Sequence, residues 1–413
     1  MRGRLGFAAR ITAVVAVLGI GCATAGWSDA GQTPAGAASS PAADRLNAVA
    51  ALGESDAWAV GTRYLSSHGG VFLTLTEHWD GKSWNVVPSP SPEGIGEQTA
   101  SILGAVAIDA PNDAWAVGSR SPASTDPRKI PPSHGLIEHW NGAKWTVVPG
   151  PRSGGHTTGL TAVAAISRTA AWAIGNGTVG GHAGTVFMRW DGTRWRYLPS
   201  PAGTDLSGLA VISAHDIWVV GTKMPTKSAL KRRTLAEHWN GSKWTIVPTP
   251  NAFKGRTRNS SLYAAGGSSS RNVWAVGWYQ SGPTGLDEST LIEHWDGARW
   301  RVQPSPDGPG SKGESQLFAI DALSRTSAWA VGGHDTNRGS VLPLIERWNG
   351  VHWTTVPSKL QPGVTFAFLS GVAAVDPRNA WAVGEALTQN HPPITLIEKW
   401  NGTSWQQVPS PNP

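Results

Sequence analysis

From residue 45 onward, short apolar stretches alternate with turn signals in an order that returns again and again. A small apolar run such as residues 46–52 leads through Ser55-Asp56 into Trp-Ala-Val. A segment of the Leu-Ile-Glu-His-Trp type follows, then Asp-Gly or Asn-Gly, then a further Trp. Runs this short, bounded by Gly, Asp, Asn and Pro, read as strands and not helices. Each unit thus predicts four short strands, A to D. Strands A and B are apolar throughout, which suits strands covered on both faces.

The unit occurs seven times. Strand B carries Trp followed three residues later by Gly, as Trp58/Gly61, Trp115/Gly118, Trp172/Gly175, Trp218/Gly221, Trp274/Gly277, Trp329/Gly332 and Trp381/Gly384. Strands C and D carry the pairs Trp79/Trp84, Trp140/Trp145, Trp190/Trp195, Trp239/Trp244, Trp295/Trp300, Trp348/Trp353 and Trp400/Trp405, each followed by Pro. Only Trp27 and Trp278 of the 23 Trp fall outside this lattice. Read as a two-residue hairpin, Asp-Gly or Asn-Gly needs positive φ at both positions. That register pairs Trp79 with Lys82 and Glu77 with Trp84, making the two Trp diagonal neighbours.

Residues 45–413 divide into seven units of about 53 residues, near the kelch period. Four strands repeated in this way predict an all-β, seven-bladed β-propeller. The first unit opens with its own strand A and the last closes with its own strand D, so every blade should take its strands from one repeat. The seam between first and seventh blades should then rest on side-chain packing alone. The third repeat should be the least well supported, because Met188 and Arg189 replace Glu and His, and Ala170 replaces the usual Asp or Asn.

The order apolar strand, aromatic-x-Val-Gly strand, Glu-x-aromatic strand, Trp-x-x-x-Pro strand resembles kelch-repeat propellers of the galactose oxidase and kelch superfamily over the whole of residues 45–413. Two features depart from the kelch pattern: its double glycine survives only as Gly332-Gly333, and the C to D turn is shorter than in kelch blades. Copper-radical oxidation, which the galactose oxidase resemblance would imply, needs a Tyr-Cys cross-link, and Cys22 is the only cysteine. The Asp-Gly-x-x-Trp string is similar to the Asp-box of sialidase propellers, but no arginine motif of that family accompanies it. Fold by itself assigns no activity.

Ahead of the repeats, residues 1–25 read as a secretory signal peptide, with a basic start through Arg10, an apolar run and Ala23-Thr24-Ala25 for cleavage. Cleavage there would remove Cys22. The preceding Leu18-Gly19-Ile20-Gly21 resembles a lipoprotein box with its aliphatic residue displaced, so lipid anchorage through Cys22 is the alternative. Residues 26–44 read as a flexible linker. The expected product is a secreted, extracellular monomer without a transmembrane helix. The net charge of +6 falls to 31 basic against 28 acidic residues once Arg2, Arg4 and Arg10 are removed, too weak a surplus to argue for nucleic acid. Nucleotide loops, Gly-x-Ser-x-Gly elbows and zinc-protease motifs are absent, and no cofactor is expected.

Two ends of the propeller differ in what they offer. The A to B and C to D turns are short and monotonous, whereas the B to C and inter-blade loops vary in length and composition. Variable loops on a rigid scaffold are where binding resides. The lattice Trp belong to the core. Glu77, Glu138, Glu237, Glu293, Glu346 and Glu398 recur too regularly for catalysis and should be buried acceptors of backbone or indole N–H groups. His78, His139, His238 and His294 are equally repetitive, and the loop histidines form no close ligand pair, so no metal is expected. On the variable face, Trp278, Tyr279 and Tyr64 offer aromatic surface, with Phe253 nearby. Arg232, Arg233 and Arg256 head a basic cluster over residues 223–258. These residues point to an exported, non-catalytic propeller that binds a carbohydrate, a cell-envelope polymer or a protein at blades four and five, with Trp278 dispensable for stability. The alternative is a secreted glycan-active enzyme, sialidase-like or another glycoside hydrolase or lyase, marked by a carboxylate pair roughly 5 to 9.5 Å apart.

Overall fold

The computed structural model describes residues 43–66, 70–96, 99–122, 132–151, 155–179, 181–199, 205–223, 232–250, 259–281, 287–311, 314–336, 340–388 and 392–412. The expected signal peptide and Cys22 lie outside them, as does the linker apart from its last two residues. Strand A of the first repeat is Ala43–Gly53 and starts inside that expected linker.

The chain is all-β, with 28 strands and no α-helix among the described residues. Within every repeat the strands pair antiparallel in the order A-B-C-D. Five repeats form separate four-stranded sheets. The first two share one eight-stranded sheet, joined by a single parallel pair, Phe72 with Ala100. Strand A of each repeat packs on strand A of the next, and Val364–Asp376 of the seventh returns to Ala43–Gly53 of the first.

The Trp-x-x-Gly marker has a steric cause. Strand A bulges once opposite each such Gly, leaving Asn47, Gly104, Thr161, Ser207, Tyr263, Phe318 and Ser370 unpaired in the A to B ladder. The bulge brings a strand A carbonyl onto the Gly. A Cβ at Gly118 would stand 2.0 Å from the Ile102 oxygen, and one at Gly384 would stand 1.9 Å from the Phe368 oxygen. Only glycine fits.

The C to D turn departs from the expected hairpin. Trp79 pairs directly with Trp84, and the other six pairs do likewise. The connection is therefore four residues long. Asp80 Oδ1 accepts the N–H groups of Lys82 and Ser83 at 2.8 and 2.9 Å, so the side chain closes the turn and only Gly81 needs positive φ, at 94°. An Asx turn satisfies backbone donors that a two-residue loop would have placed in the ladder.

Neighbouring sheets are riveted by indoles. Trp58 meets Trp140 and Trp145 of the next repeat at centroid distances of 4.8 and 5.0 Å, the second edge-on. Trp381 of the seventh repeat meets Trp79 and Trp84 of the first at 4.9 and 5.1 Å in the same geometry. The residue after the recurrent Glu covers the strand B Trp. His78 lies 4.5 Å from Trp58, and Arg189, Arg347 and Lys399 take the same place over Trp172, Trp329 and Trp381. In six repeats each face of the strand B Trp thus has a partner, whereas at the third repeat Phe187, and not Trp172, meets Trp239 and Trp244 of the next, at 6.4 and 4.8 Å.

Glu77, Glu346 and Glu398 of the recurrent glutamates accept hydroxyls, not the N–H groups expected. Ser305 donates to both carboxylate oxygens of Glu346 at 3.0 Å, and Ser358 donates to Glu398. In each case the serine follows the conserved Pro of the preceding repeat. The strand C indoles donate instead to backbone carbonyls, as Trp79 does to Glu54 at 3.0 Å. At the third repeat, where Met188 replaces Glu, the preceding repeat has Gly150 in place of Ser. Donor and acceptor are missing together, so Met188 orphans no hydroxyl.

The A-B-C-D set of the first repeat and that of the seventh each take their four strands from their own repeat. Packing is not all that joins them. The Asp44 N–H donates to the Pro393 carbonyl at 3.0 Å, and Asn379 bonds Glu54. Similar backbone bonds recur elsewhere, from Phe72 to Thr99 and from Ser260 to Arg232, because the start of strand C runs beside the start of the next strand A.

Candidate functional site

The bulge residues of strand A set the character of the inner surface. The side chains of Asn47 and Ser207 turn toward the next strand A. Asn47 donates to the Leu103 carbonyl at 2.7 Å, and Ser207 donates to that of Tyr263 at 3.1 Å. In five repeats the bulge residue is small or polar. In the fifth and sixth it is aromatic, and Tyr263 and Phe318 stand 6.1 Å apart. Phe318 continues to Phe368 at 5.9 Å, and Phe368 to Phe366 at 5.7 Å. An aromatic path therefore runs from the fifth repeat to the seventh.

A cavity of about 280 Å³ opens on this path between the sixth and seventh repeats. Phe318, Phe366 and Phe368 form its apolar wall, and Glu314, Gln316, His334 and Asp335 its polar one. Starts of strand A and ends of strand B supply these groups, so the cavity lies at the end bearing the variable loops. His334 is only 5% exposed. Burial holds its imidazole below the usual range and pushes the Asp335 carboxyl up.

Beside the cavity, Glu288 and Glu314 face each other across a parallel backbone bridge. Burial, reinforced by the Glu314 charge, pushes the Glu288 carboxyl up to about 7. The Gln316 amide nitrogen donates to Glu288. Tyr263 is pushed up to about 12, chiefly by burial, and its hydroxyl accepts the Trp278 indole N–H at 2.6 Å.

A second cavity, of about 330 Å³, lies between the seventh repeat and the first. Asp44, Arg45, Tyr64, Phe72 and Glu385 line it. Burial pushes Asp44 up to about 6 despite Arg63 at 4.0 Å.

The residues singled out by sequence do not converge. Trp278 is 6% exposed and bonded to Tyr263, so it is a packed ring and not a surface platform. Tyr279 is half-buried against the core that holds Trp295 and Trp300. Arg232 is half-buried with its charge felt at Glu288 and Tyr263, and Arg233 pairs in register with Lys223. Tyr64 stacks 4.9 Å from Phe72 in the second cavity, at the first repeat. Arg256 and Phe253, with Lys254, Arg258, Lys227 and Lys231, lie outside the described residues. The aromatic path was missed. Its signal was available in the residue after the strand A leucine, which is Tyr263 and Phe318 in two repeats and small or polar in the rest.

The sequence matches no family model and no curated protein. Solved structures do match. The β-propeller domain of the trilobed protease from Pyrococcus furiosus, described as having an open velcro topology, aligns at TM-score 0.50 and 10% identity over 89% of this chain and 99% of that one. The GH74 xyloglucanase from Xanthomonas campestris aligns at 0.51 and 12% identity, over 88% of this chain and 54% of the enzyme. The acylaminoacyl peptidase of Pyrococcus horikoshii aligns at 0.50 and 11%, over 89% and 52%. The chain is a β-propeller. It spans about half the length of the xyloglucanase and the peptidase, and identities this low carry the fold alone.

Proposed function

We propose that residues 45–413 form a seven-bladed β-propeller of the kelch-like kind, one blade per repeat, in an exported chain whose signal peptide ends near Ala25. The blade count rests on seven four-strand repeats and on Trp381 closing against Trp79 and Trp84. The propeller binds a carbohydrate, free or within a cell-envelope polymer, in the cavity between the sixth and seventh blades. The observation that carries this reading is the wall of Phe318, Phe366 and Phe368 facing Glu314, Gln316, His334 and Asp335. Aromatic faces receive the C–H face of a sugar ring while carboxylates and amides take its hydroxyls. Tyr64 and Phe72 offer a second such surface between the seventh blade and the first.

Calorimetric titration of residues 26–413 with neutral, basic and acidic oligosaccharides tests the reading. The double variant Phe318→Ala/Phe368→Ala should lose about 1 to 3 kcal/mol of affinity, taking the scale of aromatic stacking on bases. Equal binding by the variant, or no binding by the parent, would overturn it.

A second reading, a glycan-active enzyme, has one observation in its favour. Burial, with the charge of Glu314 beside it, pushes the Glu288 carboxyl up to about 7, toward the range a general acid needs. Release of reducing ends from an oligosaccharide, abolished in Glu288→Gln, would establish it.

A further inference from the structure

The third repeat is fastened in its own way, and a cavity opens beside the fastening. In the other six repeats the strand D residue paired with the recurrent Glu is aliphatic or polar: Val86, Val147, Ile246, Val302, Thr355 and Gln407. In the third it is Tyr197, paired with Met188. The Tyr197 hydroxyl lies 2.9 Å from that of Thr157, which also reaches the Met188 sulfur at 3.9 Å. These contacts take the place of a hydroxyl–carboxylate bond such as Ser305 to Glu346, and the second repeat ends in Pro149-Gly150-Pro151 with no side chain at Gly150. Between that segment and the third repeat lies a cavity of about 590 Å³, about twice the volume of the one between the sixth and seventh repeats. Pro149 and Pro151 of the second repeat line it, with Trp190, Arg194, Arg196 and Tyr197 of the third.

Trp190 and Tyr197 are half-buried, and their polar atoms are already spent. Trp190 Nε1 donates to the Arg168 carbonyl at 3.0 Å, and the Tyr197 hydroxyl is bonded to Thr157. What they offer the cavity is ring surface, which receives the C–H face of a pyranose. Arg194 and Arg196 are exposed beside these rings. Arg196 Nε donates to Asp191 Oδ2, a contact that fixes the guanidinium and leaves its terminal nitrogens for a second acceptor. The adjoining segments 152–154 and 200–204, outside the described residues, add Arg152 and no acidic residue, so the chain next to the cavity brings no counter-charge to it. A nucleic-acid strand needs a run of cations along its backbone. Two arginines flanking one Trp define a single anion position instead, and guanidinium forks match the geometry of a carboxylate. The volume falls within the range of small-ligand sites. We infer that this cavity binds an acidic sugar unit, a pyranose bearing a carboxylate, with its ring on Trp190 and Tyr197 and its carboxylate on Arg194 and Arg196. The site lies between a different pair of repeats from the sixth and seventh and needs no ligand there.

The fifth repeat supplies an internal control. Arg299 and Arg301 flank Trp300 as Arg194 and Arg196 flank Trp195, and Arg301 bonds Asp296 in the same way, yet Val302 stands in place of Tyr197. Calorimetric titration of the full chain at low salt compares an oligogalacturonate with its methyl ester. The acid should bind at least about tenfold more tightly. That advantage should vanish in Arg194→Gln/Arg196→Gln and persist in Arg299→Gln/Arg301→Gln and in Phe318→Ala/Phe368→Ala. Arg194→Gln alone, which spares the pair of Arg196 with Asp191, should weaken binding of the acid with an unchanged melting transition and so separates loss of charge from loss of fold. Equal affinity for acid and ester, equal loss in both arginine pairs, or loss only in the phenylalanine variant overturns the assignment. Silence of the oligogalacturonate overturns it as well. A polyglutamate peptide or a single-stranded oligonucleotide that binds as tightly as the uronate, with the same loss in Arg194→Gln/Arg196→Gln, would make the cavity a general anion site and overturn the sugar. None of these outcomes counts against the cavity of the sixth and seventh repeats, which the phenylalanine variant tests separately.

Discussion

Ser410 in the last repeat donates its hydroxyl to both carboxylate oxygens of Glu77 in the first, at 3.1 and 3.0 Å. The same bond joins Ser305 to Glu346 and Ser358 to Glu398, so the seam uses the fastening found between other neighbours. Removing the donor leaves a buried carboxyl short of a partner. Ser410→Ala should therefore cost about 1 to 3 kcal/mol in urea unfolding. A loss equal to that of an exposed serine would show the bond to be incidental.

Gly150 and Met188 provide the complementary experiment. A Cβ at Gly150 meets nothing closer than Ile137 at 4.0 Å, so serine fits there. Gly150→Ser alone should not stabilise, because Met188 cannot accept as a carboxylate does. Combined with Met188→Glu it should show a favourable coupling of about 0.5 kcal/mol or more in a double-mutant cycle. Strict additivity of the two changes would refute the pairing.

Stability should fall as pH rises from about 5 to about 8. Burial pushes Glu77 and Glu398 up to about 7 and Glu138 and Glu293 up to about 8, each from an ordinary value of 4.5. Between those limits the folded chain holds more protons than the unfolded chain, so unfolding free energy declines with pH across that window. His294, pushed down by burial to about 4 from 6.5, acts in the opposite sense over the lower part of the range, but one imidazole opposes several carboxyls. Calorimetric melting midpoints should decline accordingly, and Glu138→Gln should flatten the slope. A midpoint that climbs from pH 5 to 8 would contradict this.

Gly118→Ala should abolish cooperative folding or cost more than about 3 kcal/mol, because its Cβ would overlap the Ile102 carbonyl at 2.0 Å and the bulge cannot relax without opening the ladder. Circular dichroism melts would measure it. Near-neutral behaviour would mean that strand A can shed its bulge.

Trp278→Ala should destabilise by about 3 to 5 kcal/mol, as truncation of a packed ring does. A surface platform would be lost without effect on stability. Trp278→Phe and Tyr263→Phe remove opposite ends of one hydrogen bond, so their combined cost should be less than the sum of the two. Additive losses would show the two residues to be independent.

The sequence alone determined the repeat, the strand order and the Trp lattice, because a propeller imposes the same steric demands on every unit and each demand leaves a residue type at a fixed spacing. Trp-x-x-Gly is legible without coordinates since the bulge admits nothing but glycine. The turn register was not legible, because Asp-Gly suits a two-residue hairpin and an Asx turn alike, and only the pairing of Trp79 with Trp84 distinguishes them. Nor could the sequence show that Glu346 takes its proton donor from Ser305, 41 residues earlier, across a sheet boundary. Trp278 was misread as a surface platform for the same reason. Trp278 stands out in the sequence by breaking the lattice, yet its neighbour Tyr263 consumes it in the core. Phe318, Phe366 and Phe368 are inconspicuous along the chain and become one surface only when strand A of one repeat is laid beside strand A of the next.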